Sequence, residues 1–307
     1  MERIKDFKTT ACMLCDGMGL TFEHKLRDDD AHWAARCDVC GHVQLAPLPT
    51  IDEDEEYYQN NKMSRELFSK SYYDDLQLMH HYEAYAIPEL DIIKRFVPTS
   101  SAILEIGSGY GWLVEKMRLA GYDAEGIEIS KEKCEMSYNR SNIKLFNFNL
   151  LHEQPPTEFI RKFDAVCMFY VLEHLPNPIE FLKKTVVFLK NHGQIIIEVP
   201  NNDAYLRKHS FGYDDFHFTR AHLSYFNSKS LASVLQAAGF EDVSVSGRQL
   251  YSVENAIHWV RNNVPFKPCL QFDLPNGLEF VNEFFKLQME ENKTSDHLVA
   301  AGTVRKE

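Results

Sequence analysis

Ala102 to Gly111 reads AILEIGSGYG, and no other stretch limits the fold of this chain as tightly. A short apolar run entering three alternating glycines predicts a buried strand that ends on a sharp turn. There the backbone can take positive φ, and a ligand can approach the main chain closely. Trp112 to Ala120 predicts the helix that follows, stopped by Gly121. The glycine spacing is G-x-G-x-G at Gly107, Gly109 and Gly111. Trp112 stands where a dinucleotide fold would want its third glycine, and so bulky a residue disfavours that fold's close helix–strand packing.

The next strand, Asp123 to Ile129, carries Glu128 near its end, 21 residues beyond Gly107. An acid in that place accepts hydrogen bonds from ribose hydroxyls, so the pair of features predicts an adenosine-containing ligand across the strand ends. Further strands are expected at Leu145–Leu150, from Phe163 onward and at Gly193–Pro200. Ser228–Ala238 predicts a helix stopped by Gly239. Glu241–Gln249 and His297–Val304 then predict an antiparallel edge pair. Between them, residues 252–294 predict two helices around a Pro265–Pro275 loop, with a core stripe of Phe280, Phe284 and Phe285.

These segments together resemble class I S-adenosylmethionine-dependent methyltransferases over about residues 100 to 250 and the last strand. Glu105 opens the E-x-G-x-G-x-G signature, Leu172-Glu-His-Leu175 follows the fourth strand, and Gly193 to Pro200 matches the fifth. The resemblance implies an α/β, Rossmann-like fold: a seven-stranded, mostly parallel sheet with an antiparallel last strand. It also implies methyl transfer from S-adenosylmethionine, held at Glu105, Gly107, Gly109, Gly111, Glu128, Ile129, Asn149, Leu150 and Phe169. Asn149 stands where an Asp often contacts the adenine amino group, and its amide oxygen can accept the same bond.

Two CxxC pairs precede this domain, Cys12/Cys15 and Cys37/Cys40, with 21 residues between them. Two such knuckles complete a tetrahedral four-thiolate zinc ribbon, and a closed shell leaves no open position for water or substrate. The zinc is therefore expected to be structural, stabilising a segment too small to build its own core. His24, His32 and His42 are expected at the surface. Residues 43–60 predict a linker broken by Pro47 and Pro49, with a solvated acidic run from Asp52 to Glu56. From Met63 to Phe96 the pattern is helical through Leu67, Leu76, Met79, Tyr82, Ala86 and Leu90, interrupted or restarted at Pro88. The expected organisation is a ribbon over 1–50, a linker and helical segment over 51–98, and the catalytic domain over 99–307 with its helical insertion at 252–294.

The expected base for a hydroxyl acceptor is His222, and His217 is a second catalytic candidate that orients substrate. His174 is expected to shape the turn after the fourth strand. The segment from His217 to Phe226 resembles that of sugar C-methyltransferases that also carry a cysteine-rich zinc module. Those enzymes have a Glu-His pair where this chain has Ala221-His222, so O-methylation of a small, carbohydrate-type metabolite, such as a sugar or nucleotide sugar, is expected over C-methylation. Ribosomal RNA methylation and a non-catalytic S-adenosylmethionine-binding module are the alternatives. A net charge of −12 without a dense Lys/Arg run argues against nucleic acid as partner. No apolar run reaches a membrane-spanning length and no secretory signal is read at the N-terminus, so a cytoplasmic protein is expected.

Overall fold

A computed structural model describes residues 7–50, 53, 75–264 and 279–304. The chain opens with strands β1 (Phe7–Ala11), β2 (Met18–Lys25), β3 (Trp33–Cys37) and β4 (Val43–Ala46). Helix α1 (Asp75–Phe96) leads to β5 (Ala102–Ile106), α2 (Trp112–Leu119), β6 (Asp123–Glu128), α3 (Lys131–Ser141) and the short β7 (Phe146–Asn147). Then come β8 (Phe163–Phe169), α4 (Pro178–Thr185), β9 (Leu189–Pro200), α5 (Tyr205–His209), α6 (Tyr213–His217) and β10 (Ser224–Tyr225). The last elements are α7 (Ser228–Ala237), β11 (Phe240–Arg248), α8 (Val253–Asn262), α9 (Glu279–Glu291) and β12 (His297–Val304).

The large sheet has the order β11-β12-β9-β8-β5-β6-β7. Strands β5 to β9 pair in parallel, and β12 runs antiparallel to both β9 and β11. This is the Rossmann-like class expected above. Both faces of the sheet are covered, which is why its strands are nearly continuous apolar runs. Alternation sends Leu104, Val166 and Ile197 to one face, against Phe181 and Leu182 of α4 and Leu231 of α7. It sends Ile103, Cys167 and Ile196 to the other, against Ile92 and Ile93 of α1 and Met117 of α2. Asn227 caps α7 through a capping box with Ser230, and Gly239 beyond its end holds φ +96°.

The small sheet has the order β1-β2-β3-β4-β10. Its last strand belongs to the segment after β9: Ser224 pairs with Gln44 and Tyr225 with Val43. The small sheet is thus completed, strand to strand, by the chain that follows β9 of the large sheet. No described helix is long and apolar enough to cross a membrane.

Several local expectations are corrected. Val43–Ala46 is not linker but strand, and all four residues are buried in the small sheet. Pro88 does not break α1, which runs through it. Ala86, Leu90 and Ile93 pack on the large sheet and hold the turns on either side despite the missing N–H. The third strand shrinks from six residues to Phe146–Asn147. Phe280 and Phe284 are each 65% exposed rather than core, because a helical stripe shows which residues share a face but not what that face meets. His32 and His42 are buried, not superficial: His32 pairs with Asp29, and His42 lies against the Phe226 ring. Met63, Leu67, the Pro265–Pro275 loop and the acidic run from Asp52 to Glu56, apart from Glu53, lie outside the described residues.

Candidate active site

The cofactor half is built by the ends of β5 and β6. Gly107 holds φ +81°, and a Cβ there would meet Val171 Cγ2 at 2.5 Å, so the glycine lets two turns touch. At Gly109, φ is +53° and an added Cβ would meet nothing within 4 Å, which leaves that side of the turn open to a ligand. Glu128 is buried and accepts from the Gly109 and Ser130 N–H groups, both at 2.8 Å. Each carboxylate oxygen has a second lone pair for a ribose hydroxyl. Glu105 is buried with its Oε2 unpartnered, and burial pushes its carboxyl up to about 8, with the Glu128 charge adding to the effect.

A buried acid with one unpartnered oxygen under a glycine turn fits the cationic end of S-adenosylmethionine, whose amino-acid moiety carries an ammonium group. Ile129, 65% exposed beside Glu128, offers an apolar face at the same rim. Leu150 and Phe169 are buried in the two core clusters flanking the sheet. The Asn149 Oδ1 accepts from the Leu151 N–H at 3.0 Å, so it pins its own turn and keeps one lone pair for an adenine amino group.

The candidate acceptor half begins where β8 ends. Tyr170 holds φ +58°, rare for a bulky residue, and donates its hydroxyl to Glu198 Oε1 at 3.1 Å. Glu198, fully buried mid-strand, is also bound by Arg248 Nη1 through both oxygens. The turn Leu172–His174 follows, placed against the glycine turn through Val171. His174 Nδ1–H donates to the Ala221 carbonyl at 2.7 Å, and the His174 and His222 rings meet edge to face at 5.0 Å. Burial holds the His222 imidazole well below the usual histidine range, helped by His174, His217, Arg27 and His297. The structure thus brings His222 to His174 and to Glu173. It leaves His217 behind them in an aromatic box of Tyr213, Phe218 and Tyr225, with Nε2 unpartnered.

The ribbon positions this loop. Asp28 accepts from Thr219 Oγ1 at 2.5 Å and from the Arg220 N–H at 2.8 Å. The Arg27 N–H donates to the Phe218 carbonyl, and Leu45 N–H to that of Leu223, both at 3.0 Å. The Tyr225 hydroxyl bonds Thr219 through both its N–H and its carbonyl, and the His222 N–H donates to that same carbonyl.

The ribbon's four Sγ atoms lie within 4.8 Å of one another. Cys12 to Cys40 is 3.6 Å and Cys15 to Cys37 is 3.7 Å. Tetrahedral zinc with bonds of about 2.3 Å places its thiolates at just this order of separation. Leu14 and Val39 N–H groups point at Cys12 and Cys37 Sγ, as in paired knuckles. Burial pushes the Cys12 thiol up and the Cys40 thiol up to about 11, while at Cys37 burial is outweighed by the backbone N–H groups of Cys40 and Val39, which draw the thiol down. A cation among the four would favour the thiolate form of the raised pair. The set fits zinc.

A glycine turn, an acid on the next strand, a buried acid beneath and the strand order above fit the cofactor end of a methyltransferase domain. The family described as "Methyltransferase domain" matches residues 79–245, and the chain belongs to it. The ubiquinone biosynthesis O-methyltransferase of Dechloromonas aromatica is 28% identical over 108 residues, 33% of this chain and 45% of that protein. Its counterpart in Idiomarina loihiensis is 23% identical over 159 residues, 47% of this chain and 63% of that protein. The chain therefore spans about half the length of these relatives. A Burkholderia thailandensis 1,6-didemethyltoxoflavin-N1-methyltransferase, solved with 1,6-didemethyltoxoflavin and S-adenosylhomocysteine, shares the fold. Its TM-score is 0.52 at 16% identity, over 90% of this chain and 97% of that one.

Sequence reasoning missed Glu173, Glu198 with Arg248, and Asp28. Glu198 left a signal, an acid inside the apolar run IIIEVP, which requires a buried partner. Asp28 left none.

Proposed function

We propose that this enzyme methylates a hydroxyl group of a small, carbohydrate-type metabolite, with a sugar or nucleotide sugar as the expected class. The placement of His222 beside Glu173 and His174, on the turn that touches the cofactor's glycine turn, carries this reading. The sulfonium is already a good leaving group, so the chain's task is to align the hydroxyl with the methyl and exclude water. His222, held neutral by burial, takes the hydroxyl proton as the oxygen–carbon bond forms. His217, behind His222 in its aromatic box, is the second catalytic candidate and acts through the loop that carries His222, and Glu105, Gly107, Gly109, Gly111, Glu128, Ile129, Asn149, Leu150 and Phe169 make up the cofactor site. The relatives named as O-methyltransferases support oxygen as the atom methylated. Residues 1–50 act as a structural zinc unit on a catalytic domain over 99–307, in a reducing, cytosolic setting that keeps the thiols free for metal.

The test is single-turnover methyl transfer from labelled S-adenosylmethionine to a panel of sugars, nucleotide sugars and phenols. His222→Ala is expected to lower the rate roughly 10²-fold while S-adenosylhomocysteine affinity stays nearly unchanged. A variant that keeps the wild-type rate removes His222 from the chemistry. Transfer to none of the hydroxyl acceptors sinks the substrate reading.

A further inference from the structure

A cleft opens between the segment after β9 and helices α8 and α9. It takes up about 280 Å3, counting the part open to solvent, and at depth it has room for little more than one water-sized group. Tyr205 and Tyr213 line it from α5 and α6, and Ser252 and Asn255 from the head of α8. Tyr213 is 9% exposed and Asn255 6%. Among the described residues, neither the Tyr213 hydroxyl nor the Asn255 side-chain amide has a hydrogen-bond partner. Buried polar groups are ordinarily paired, so two unpaired ones lining a single cleft call for a ligand.

The rest of the lining limits what that ligand is. Asp296 is the one charged side chain in it among the described residues, and its oxygens are already spent. Oδ1 meets the Leu250 N–H and His297 Nδ1, both at 2.9 Å. Oδ2 accepts from the Tyr251 N–H at 2.9 Å and from Gln249 Nε2 at 2.8 Å. No Lys or Arg lines the cleft, so a phosphate or carboxylate finds no counter-charge there. What stays available is a phenol hydroxyl, a primary amide and the ring surface of Tyr205, Tyr251 and Phe285. Hydroxyl and amide each donate and accept, as the hydroxyls of a sugar do, and ring surface suits the C–H faces of the same molecule.

We propose that this cleft binds a neutral, polyhydroxylated ring of the acceptor, whose hydroxyls are taken by the Tyr213 hydroxyl and the Asn255 amide. This rests on the carbohydrate reading above and gives recognition of the ring a place apart from the hydroxyl that receives the methyl. Three lining residues join the cleft to the candidate acceptor half. The Tyr213 ring stacks on His217 at 5.9 Å. The Tyr251 hydroxyl lies 3.4 Å from that of Tyr85, whose ring meets Tyr170 edge to face at 5.8 Å. Asp296 holds His297, whose ring meets Tyr170 at 5.3 Å. Binding energy gained on a part of the acceptor remote from the reacting oxygen then serves to position that oxygen. A site built to pair hydroxyls also rejects an analogue that lacks them.

The experiment is saturation-transfer NMR on the zinc-loaded full chain with S-adenosylhomocysteine, using methyl glucoside, methyl galactoside, N-acetylglucosamine and catechol as probes. At least one of the sugars should receive saturation on its ring protons. Tyr213→Phe and Asn255→Ala should each weaken that sugar's binding roughly 10-fold or more. Tyr213→Phe deletes only an unpaired buried hydroxyl, so its unfolding temperature should match or exceed that of the wild type and shows that the variant folds. A response from none of the sugars overturns the proposal. If Tyr213→Phe also unfolds at lower temperature, the two groups hold a bound water only. A sugar response unchanged in both variants overturns it too, and places the ring elsewhere. Binding is read without methyl transfer, so the two readings fail separately. Sugar binding lost in both variants, with transfer to no hydroxyl, keeps the cleft and ends the hydroxyl-transfer reading. Transfer to a sugar with KM unchanged in both variants keeps that reading and ends this one.

Discussion

The two halves of the candidate site are held in different ways. On the cofactor side, Gly107, Gly109, Glu105 and Glu128 lie on two neighbouring strands and their turns, and Gly109 N–H to Glu128 closes them into one unit. On the proposed acceptor side, Glu173 and His174 come from the turn after β8 and His222 from the loop after β9. The ribbon fixes that loop through Asp28, Arg27 and β4. One half is local backbone on a rigid sheet. The other is assembled from distant segments, one of them outside the methyl-transfer domain. Damage to the ribbon should therefore strike methyl transfer and spare cofactor binding.

The largest expected effect tests that separation. Cys37→Ser removes a buried thiolate from the ribbon, and a metal site of this size supplies much of its module's folding free energy. Methyl transfer should fall roughly 10²-fold or more, with metal content lost in proportion. Calorimetry with S-adenosylhomocysteine should show affinity within a few-fold of wild type. Equal loss of both would mean that the halves are not separable.

The same division explains what was legible in the sequence. The glycine turn and Glu128 were readable because a strand, its turn and the next strand end lie within about one βαβ unit, where spacing fixes geometry. The four cysteines were readable because a metal imposes its own spacing. Glu173 stood in plain view in the Leu-Glu-His-Leu run, yet its partner His222 is brought to it only by the loop after β9. Asp28 is one of three consecutive acids, Asp28 to Asp30, and composition favours a solvated run there. Its partners Thr219 and Arg220 lie 191 and 192 residues on. Phe280 and Phe284 were misplaced for the same reason, since periodicity names a face without naming its neighbour.

The next effect strikes the cofactor half alone. Glu128→Ala removes a buried carboxylate that ties Gly109 to Ser130 and is proposed to receive the ribose hydroxyls. Loss of two charge-assisted bonds should weaken S-adenosylhomocysteine binding by about 2 to 3 kcal/mol. Zinc content should be unaffected, and transfer at saturating cofactor should recover much of its rate. Tight, unchanged binding would place the ligand elsewhere.

The smallest effect is the sharpest test of the ribbon's part in the acceptor half, because it leaves the metal alone. Asp28 sits between β2 and β3, away from the four cysteines, and its two oxygens receive the Thr219 hydroxyl and the Arg220 N–H. Thr219 in turn accepts the His222 N–H and is clasped by the Tyr225 hydroxyl, so Asp28 sets the start of the turn that presents His222. Asp28→Ala deletes two bonds worth together about 2 kcal/mol, with Tyr225 and β10 still holding the far end of the loop. The expected outcome is a rate of transfer lowered roughly 10-fold, with zinc content and S-adenosylhomocysteine affinity at wild-type values. Asp28→Asn should fall between Asp28→Ala and wild type, since an amide oxygen still accepts one of the bonds. The measurement is single-turnover transfer beside zinc analysis and calorimetry. A full rate in Asp28→Ala would show that the ribbon merely adjoins the loop, and that β10 and Tyr225 alone place His222.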